Sequence, residues 1–519
     1  MSSSRTSLLL LKKCKCMHDL KKAHARIITE GLGHDYYALS RIIALCADPN
    51  NGSLTYAQTI FYQTENPTLC IRNTMLKALL LKRDHFELME LYRRMLDDGV
   101  HPDHYTFPYV LKACSAMQDC RAGSEVHVHV LKLGFGFDAL VGSTVILMYA
   151  SCGEIGIARK VFDEMPHRVA ACWTVMISGY SKIGKIEEAR ALFDGAPVKD
   201  RGVWGAMISG YVQSNGFKEA LLMFRQMQVG GFEPDEGVLV SVLCACAHVG
   251  GLELGTWIHN YVHWIGLPVS VRLGTALVDM YVKCGNLVMA KKVFDRISNK
   301  DTVCWNVMIF GLAIHGDGDG ALALFVNMEK EGCRPDDATF IAILSACGHS
   351  GLVKEGLEMF DIMRTLYKIE PRAEHYGCVV DFLSRAGQFE QAMELIARMP
   401  GLASPSEKAI AWRALLSACW SHGKIELAEI AAEHLMQLEV HSGVYVLLSN
   451  VYEECGRHCD ARRIRKSMKH RGIPKTPGCS SIEIGGRVHE FVAGEQMHLQ
   501  IEEIFEVVDN LNDQLVSAG

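Results

Sequence analysis

The residue types able to do covalent chemistry are present in this sequence but not in the spacings such chemistry needs. A zinc deaminase requires a His-x-Glu, to bind metal and shuttle protons, and a downstream Pro-Cys-x-x-Cys that completes the zinc site. His85-Phe86-Glu87 supplies the first spacing, and no Pro-Cys-x-x-Cys follows it anywhere in the 519 residues. There is no phosphate-binding loop ending Gly-Lys-Ser/Thr and no Gly-x-Ser-x-Gly elbow. The 19 cysteines are scattered at core-like positions. The pairs Cys14/Cys16, Cys244/Cys246 and Cys455/Cys459 lack paired zinc-ligand spacing, so no metal and no cofactor is expected. Such cysteines point to reduced thiols in a non-secretory compartment. The expectation is a chain that is not an enzyme. What remains is binding chemistry, including a run from Arg462 to Lys475 that carries Arg462, Arg463, Arg465, Lys466, Lys469, Arg471 and Lys475 without an acid. That run is either a set of phosphate contacts or a solvated helix face.

The elements that would carry such chemistry repeat along the chain. Tyr149, Tyr180, Tyr211 and Tyr281 each precede an alanine by nine positions (Ala158, Ala189, Ala220, Ala290), in MYASCGEIGIA, GYSKIGKIEEA, GYVQSNGFKEA and MYVKCGNLVMA. The steps between the tyrosines are 31, 31 and 70, the last being two units of 35. Within a unit, Trp173, Met176, Ile177 and Tyr180 fall at i, i+3, i+4 and i+7, one face of an α-helix. Trp204, Met207, Ile208 and Tyr211 repeat the pattern, as do Trp305, Met308, Ile309 and Leu312. A second apolar set, Ile186, Ala189 and Phe193, follows a glycine-containing turn. Each unit therefore reads as a helical hairpin that can bury its stripe only against its neighbours. The expected fold is all-α: an α-solenoid superhelix of stacked helix-turn-helix repeats, TPR-like, with the Trp, Met and Tyr stripe as inter-helix core. No apolar run approaches the roughly 18 residues of a membrane span, so no membrane partner is expected.

Units of 31, 35 and 36 residues, with VFDEM (161–165), VFDRI (293–297), WTVMISGYSKIGKIEEA and GFEPD (231–235), resemble the plant pentatricopeptide repeat proteins of the PLS class. The resemblance covers nearly the whole chain. It implies units at 69–103, 104–138, 139–169, 170–200, 201–235, 236–270, 271–301, 302–336, 337–372 and 373 to about 407. Residues 1–68 then hold a short transit peptide and worn units, and 69–407 an RNA-binding array. Residues 408–472 resemble the paired E motifs and 473–519 the E+ extension, without the DYW deaminase domain that usually follows in the family.

The same resemblance implies which residues meet RNA. Helical RNA-binding repeats read one base each with two or three side chains. In the family these are the fifth residue of the first helix and the last residue of the unit. Position five follows the tryptophan, about 100° round the helix from the packed stripe. Carried onto this sequence, the pairs are Asn73 with Asp103, Pro108 with Asp138, Ser143 with Val169, Thr174 with Asp200, Gly205 with Asp235, Val240 with Ser270, Thr275 with Asp301, and Asn306 with Asp336. Asn with Asp is the family's uracil combination and Thr with Asp its guanine combination. The implied pattern is U, any, any, G, any, any, G, U, then two weakly read positions before an edited cytidine. Ser143 with Val169, Gly205, Val240, and Ile341 with Arg372 depart from it. An aspartate between hairpins is also a good helix N-cap, which needs no ligand.

The function this implies is a sequence-specific single-stranded RNA-binding factor that selects sites for C-to-U editing of organelle transcripts. A DYW-type deaminase or other editing factors would be recruited in trans through the E/E+ region. RNA splicing or stabilisation is the alternative within RNA biology. A protein-binding TPR-like scaffold is the rival outside it, though its fixed 34-residue period is absent. The net charge of −6 is unusual for a nucleic-acid binder and shifts the burden to base edges and local fields. The opening MSSSRTSLLLLKKCKCMHDL, whose first acid is Asp19, suits an organelle presequence. Mitochondrion is the expected compartment, plastid the alternative.

Overall fold

A computed structural model describes residues 11, 14, 16–48, 52–399, 405–438, 441–475, 478–484, 487–493 and 500–518. The presequence expected at the N-terminus lies mostly outside the described residues. The chain divides into two compact units, Met1–Val238 and Leu239–Gly519, described separately below. Each is an α-solenoid of helical hairpins in which a first helix packs on its own second helix and on the first helix of the next hairpin. No helix among the described residues is long and apolar enough to cross a membrane.

The alternation of unit length has a simple structural origin. In the first unit, the hairpin Ala170–Lys182 with Ile186–Gly195 has a second helix of 10 residues. The next hairpin, Arg201–Gln213 with Phe217–Val229, has one of 13. The connector lengthens from five residues (196–200) to six (230–235), so the four-residue difference is nearly one helical turn plus one linking residue. First helices keep a constant 13 residues across these units. The 31- and 35-residue units therefore share their stacking face and differ in the second helix.

The packing follows the apolar stripe. Ala158, Ala189 and Ala220 are fully buried in the first unit, and Ala290 in the second, where only a methyl group fits between the helices of a hairpin. Each tryptophan meets the phenylalanine of the preceding second helix edge-on: Phe162 with Trp173 and Phe193 with Trp204 at 4.9 Å, and Phe294 with Trp305 at 5.1 Å. Such pairs add about 0.5–1.5 kcal/mol beyond burial. A base six residues after each phenylalanine lies over its ring, Arg168 at 5.0 Å, Lys199 at 5.3 Å and Lys300 at 4.8 Å. These three also donate to carbonyls at the end of the second helix: Arg168 Nε to Phe162 at 2.7 Å, Lys199 Nζ to Ala196 at 3.2 Å and Lys300 Nζ to Ile297 at 3.0 Å. The turn inside a hairpin needs a left-handed residue. Gly285 supplies it at φ 82°, letting Asn286 N–H reach the Tyr281 carbonyl at 2.8 Å, and Asn215 does the same at φ 59°.

In the second unit the hairpins continue through the E-motif region as Pro405–His422 with Ile425–Leu438 and Ser442–Glu454 with His458–His470. A short β element that the sequence reading did not expect follows the solenoid. Strands β1 (Cys479–Ile484) and β2 (Arg487–Val492) form an antiparallel hairpin with Ile482 opposite His489. The cause is legible in SSIEIGGRVHEFV, two alternating β-prone runs joined by Gly-Gly. The β1 residue Glu483 accepts from Glu253 N–H at 2.8 Å and Leu254 N–H at 3.3 Å, at the start of the helix Leu252–Trp264. A carboxylate there satisfies orphan donors and the helix dipole.

Candidate nucleic-acid interface

The aspartates expected at the end of a unit cap the next first helix, except Asp103, which lies two residues before the N-cap Tyr105 and still accepts from the first N–H of the helix. In the first unit, Asp138 accepts from Leu140 and Val141 N–H at 2.9 Å each, Asp200 from Val203 N–H at 2.9 Å, and Asp235 from Val238 N–H at 2.9 Å. Asp103 accepts from Tyr105 at 3.0 Å and Thr106 at 2.8 Å. In the second unit, Asp301 accepts from Cys304 N–H and Asp336 from Thr339 N–H, both at 2.9 Å. All these bonds fall on Oδ1. Among the described residues no hydrogen bond falls on Oδ2 of the six, so each cap keeps one oxygen for another donor.

The position-five side chains divide into three kinds. Asn73 and Asn306 are half-buried and donate from Nδ2 to Oδ1 of Asp103 and Asp336, at 3.0 Å in each case. Their Oδ1 atoms receive the hydroxyls of Thr106, at 2.7 Å, and Thr339, at 2.6 Å. The threonine backbone and hydroxyl also bond the aspartate, closing a three-residue cluster that recurs once in each unit. Burial opposes the charge on Asp103 and Asp336. The hydrogen bonds from threonine and asparagine outweigh it and hold both carboxyls below their usual range.

Among the described residues Thr174 and Thr275 make no hydrogen bond to their aspartates. Thr174 Oγ1 turns back to the Ala170 carbonyl at 3.1 Å, and Thr275 Oγ1 is buried without a hydrogen-bond partner among the described residues. Ser143 likewise bonds its own helix at Leu140, 2.9 Å away, and Gly205 offers no side chain. Pro108 is buried and has no hydrogen-bond donor. At 337–372, where Ile341 with Arg372 was expected to depart from the code, Arg372 pairs with Asp337 at 2.6 Å and its N–H donates to His375 Nδ1.

The basic run lies on the helix His458–His470 and the residues after it, all seven side chains exposed. Three are engaged locally. Arg463 pairs with Asp460 at 2.9 Å, Arg465 with Glu453 at 3.2 Å, and Arg471 donates to the Tyr445 hydroxyl at 2.9 Å. Arg462, Lys466, Lys469 and Lys475 project from the same stretch. His85 and Glu87 sit in the first turn of the repeat helix His85–Asp97, with Glu87 accepting from Tyr62. The sequence reading missed Thr106 and Thr339. Their signal was the Asp-x-x-Thr of PDHYTF and PDDATF, a capping-box spacing.

A solenoid of helical hairpins with polar pairs at several of its hairpin junctions defines a class of repeat proteins, and comparison with known sequences names it. The PPR repeat model matches residues 71–100, 143–168, 171–195, 202–232, 275–301, 338–366 and 374–402; the PPR repeat family model matches 300–349 and the E motif model 422–483. The chain is 42% identical over 487 residues to the Arabidopsis thaliana pentatricopeptide repeat-containing protein At2g20540, covering 93% of this chain and 90% of that one. It is 36% identical to At1g59720, chloroplastic/mitochondrial, from the same plant, covering 98% and 77%. The maize protein PPR10, solved in complex with an 18-nt psaJ RNA element, aligns with TM-score 0.42 and 15% identity, covering 91% of this chain and 86% of that chain. The chain belongs to the pentatricopeptide repeat family, in the subgroup that carries an E motif.

Proposed function

We propose that this chain is a single-stranded RNA-binding specificity factor that selects sites for C-to-U editing in organelle transcripts. The observation that carries the reading is the repetition, at one hairpin junction after another, of a half-buried polar side chain close to a capping aspartate with one uncommitted oxygen. A carboxylate oxygen accepts from the N1–H and N2–H of guanine or the N3–H of uracil, and the partner side chain tests the rest of the edge. Base readers on the proposal are Asn73 with Asp103, Thr174 with Asp200, Thr275 with Asp301 and Asn306 with Asp336. Asp138 and Asp235 have partners without hydrogen-bonding side chains and read little. Arg462, Lys466, Lys469 and Lys475 contact phosphate, and residues 408–519 recruit a deaminase in trans. Relatives with chloroplastic and mitochondrial names support an organelle address, with mitochondrion our choice.

A two-armed experiment tests this. Asp200→Asn and Asp301→Asn keep the helix cap, since Asn caps as well as Asp, and place an N–H where the guanine donors were accepted. Binding of labelled oligoribonucleotides should move from guanine toward adenine at those two positions by about tenfold or more; unchanged preference defeats base reading. In the plant, chains lacking 408–519 should bind the same RNA but lose editing in organelle cDNA. Retained editing would instead favour a splicing or stability role.

A further inference from the structure

We propose that Thr106 and Thr339 are positioning residues for base selection: each locks the amide of the preceding unit's asparagine with its N–H outward, and so sets the preference for uracil over cytosine at that unit. The inference rests on the base-reading proposal and adds a third residue to it.

The geometry is the same in both places. Thr106 and Thr339 are fully buried three residues after their aspartates, Thr106 as the first residue of its helix and Thr339 as the third. Each Oγ1 accepts the aspartate's own backbone N–H, at 3.2 Å for Asp103 and 3.0 Å for Asp336. A hydroxyl has one proton, and two acceptors lie within reach. The aspartate Oδ1 already receives N–H donors from the asparagine and the helix start, and the asparagine Oδ1 is the nearer acceptor in both copies, 2.7 against 2.8 Å and 2.6 against 2.9 Å. The proton therefore serves the asparagine. Threonine holds Oδ1 inward through one lone pair and aspartate takes one Nδ2 hydrogen, which leaves the second Nδ2 hydrogen as the donor for a ligand. Reversing the amide would set its oxygen against an ionised carboxylate. An outward N–H meets an acceptor in uracil O4 and a donor in the cytosine amino group, so it favours the first and rejects the second.

The rest of the chain provides an internal comparison. The third residue beyond the unit is Val203 after the Thr174–Asp200 pair and Cys304 after Thr275–Asp301, where the reading side chain has no amide to orient. It is Val141, Cys172, Val238, Leu273 and His375 at the other junctions. A buried hydroxyl occurs there only after Asn–Asp.

The test uses the full chain and an oligoribonucleotide reading U, A, A, G, A, A, G, U, with its terminal uridines replaced singly by cytidine. Thr339→Val should lower the uracil-to-cytosine affinity ratio at the last position by about fivefold or more. Guanine preference at the two Thr–Asp units should not change, and Thr339→Ser should keep the wild-type ratio. A gain-of-function arm avoids any loss of packing: Thr174→Asn with Val203→Thr should discriminate uracil from cytosine at the fourth position more strongly than Thr174→Asn alone. An unchanged ratio in Thr339→Val, or no gain from Val203→Thr, overturns the positioning role while leaving base reading intact. A wild-type chain indifferent to uracil against cytosine at both ends overturns base reading itself, and the inference with it.

Discussion

At the scale of single residues, the fold disfavours the charged form of several histidines by burying them. Burial lowers His127 and His259, whose Nδ1 atoms face the Tyr149 and Tyr281 hydroxyls at 3.1 and 3.0 Å; nearby Arg296 and His263 lower His259 further. His24 and His375 are lowered chiefly by burial as well. The unfolded chain then takes up protons more readily than the folded one as pH falls through 6.5, the ordinary histidine value. Stability is present above that pH and lost below it. Circular dichroism melts should show the midpoint falling between neutrality and mild acid, and His259→Gln should flatten the slope; a midpoint insensitive to pH in that window would contradict the argument. Asp103 and Asp336 act in the same sense at lower pH, their contribution being lost as pH falls below the carboxylate range. The reading pairs themselves came from family resemblance to Asn, Thr and Asp at fixed positions. Their capping bonds followed from residue type, whereas the threonine hydroxyls did not stand out because they belong to the next unit in sequence.

At the scale of the elements, the repeat was legible almost residue by residue. First helices begin at Ala170, Arg201, Val271, Thr302 and Ala373, each the first residue of an expected unit; Asp200, Ser270 and Asp301 cap three of them, while Ala170 and Ala373 begin after Val169 and Arg372 without a side-chain cap. The exception is the unit at 104, whose helix begins at Thr106. The β-hairpin was missed because alternation over six residues was absorbed into a named extension instead of being read as a period of two. Trp204 exemplifies how the hairpins hold each other: it is 8% exposed and packs on Phe193 of the hairpin before. Trp204→Ala should cost about 3–5 kcal/mol in denaturant unfolding. In a nearest-neighbour array the loss should concentrate in the hairpins on either side, as hydrogen exchange would register; a cost under about 1 kcal/mol would mean the ring is not an inter-hairpin anchor.

At the scale of the whole molecule, a net charge of −6 limits how much affinity can come from phosphate. If four cations near the E motif make the phosphate contacts, replacing Arg462, Lys466 and Lys469 by alanine should weaken all RNA sequences alike. The slope of log affinity against log salt should fall by about 0.7 per contact removed. A change in base preference instead would assign those side chains a different role. The tail has a second connection to the array. Through Glu483 it grips a helix start 230 residues earlier, so a carboxylate of the tail helps to close a span comprising much of the second unit into a ring. Opening that clasp would uncap the helix as it loosened the tail, so a molecule that pulled on one would be felt at the other.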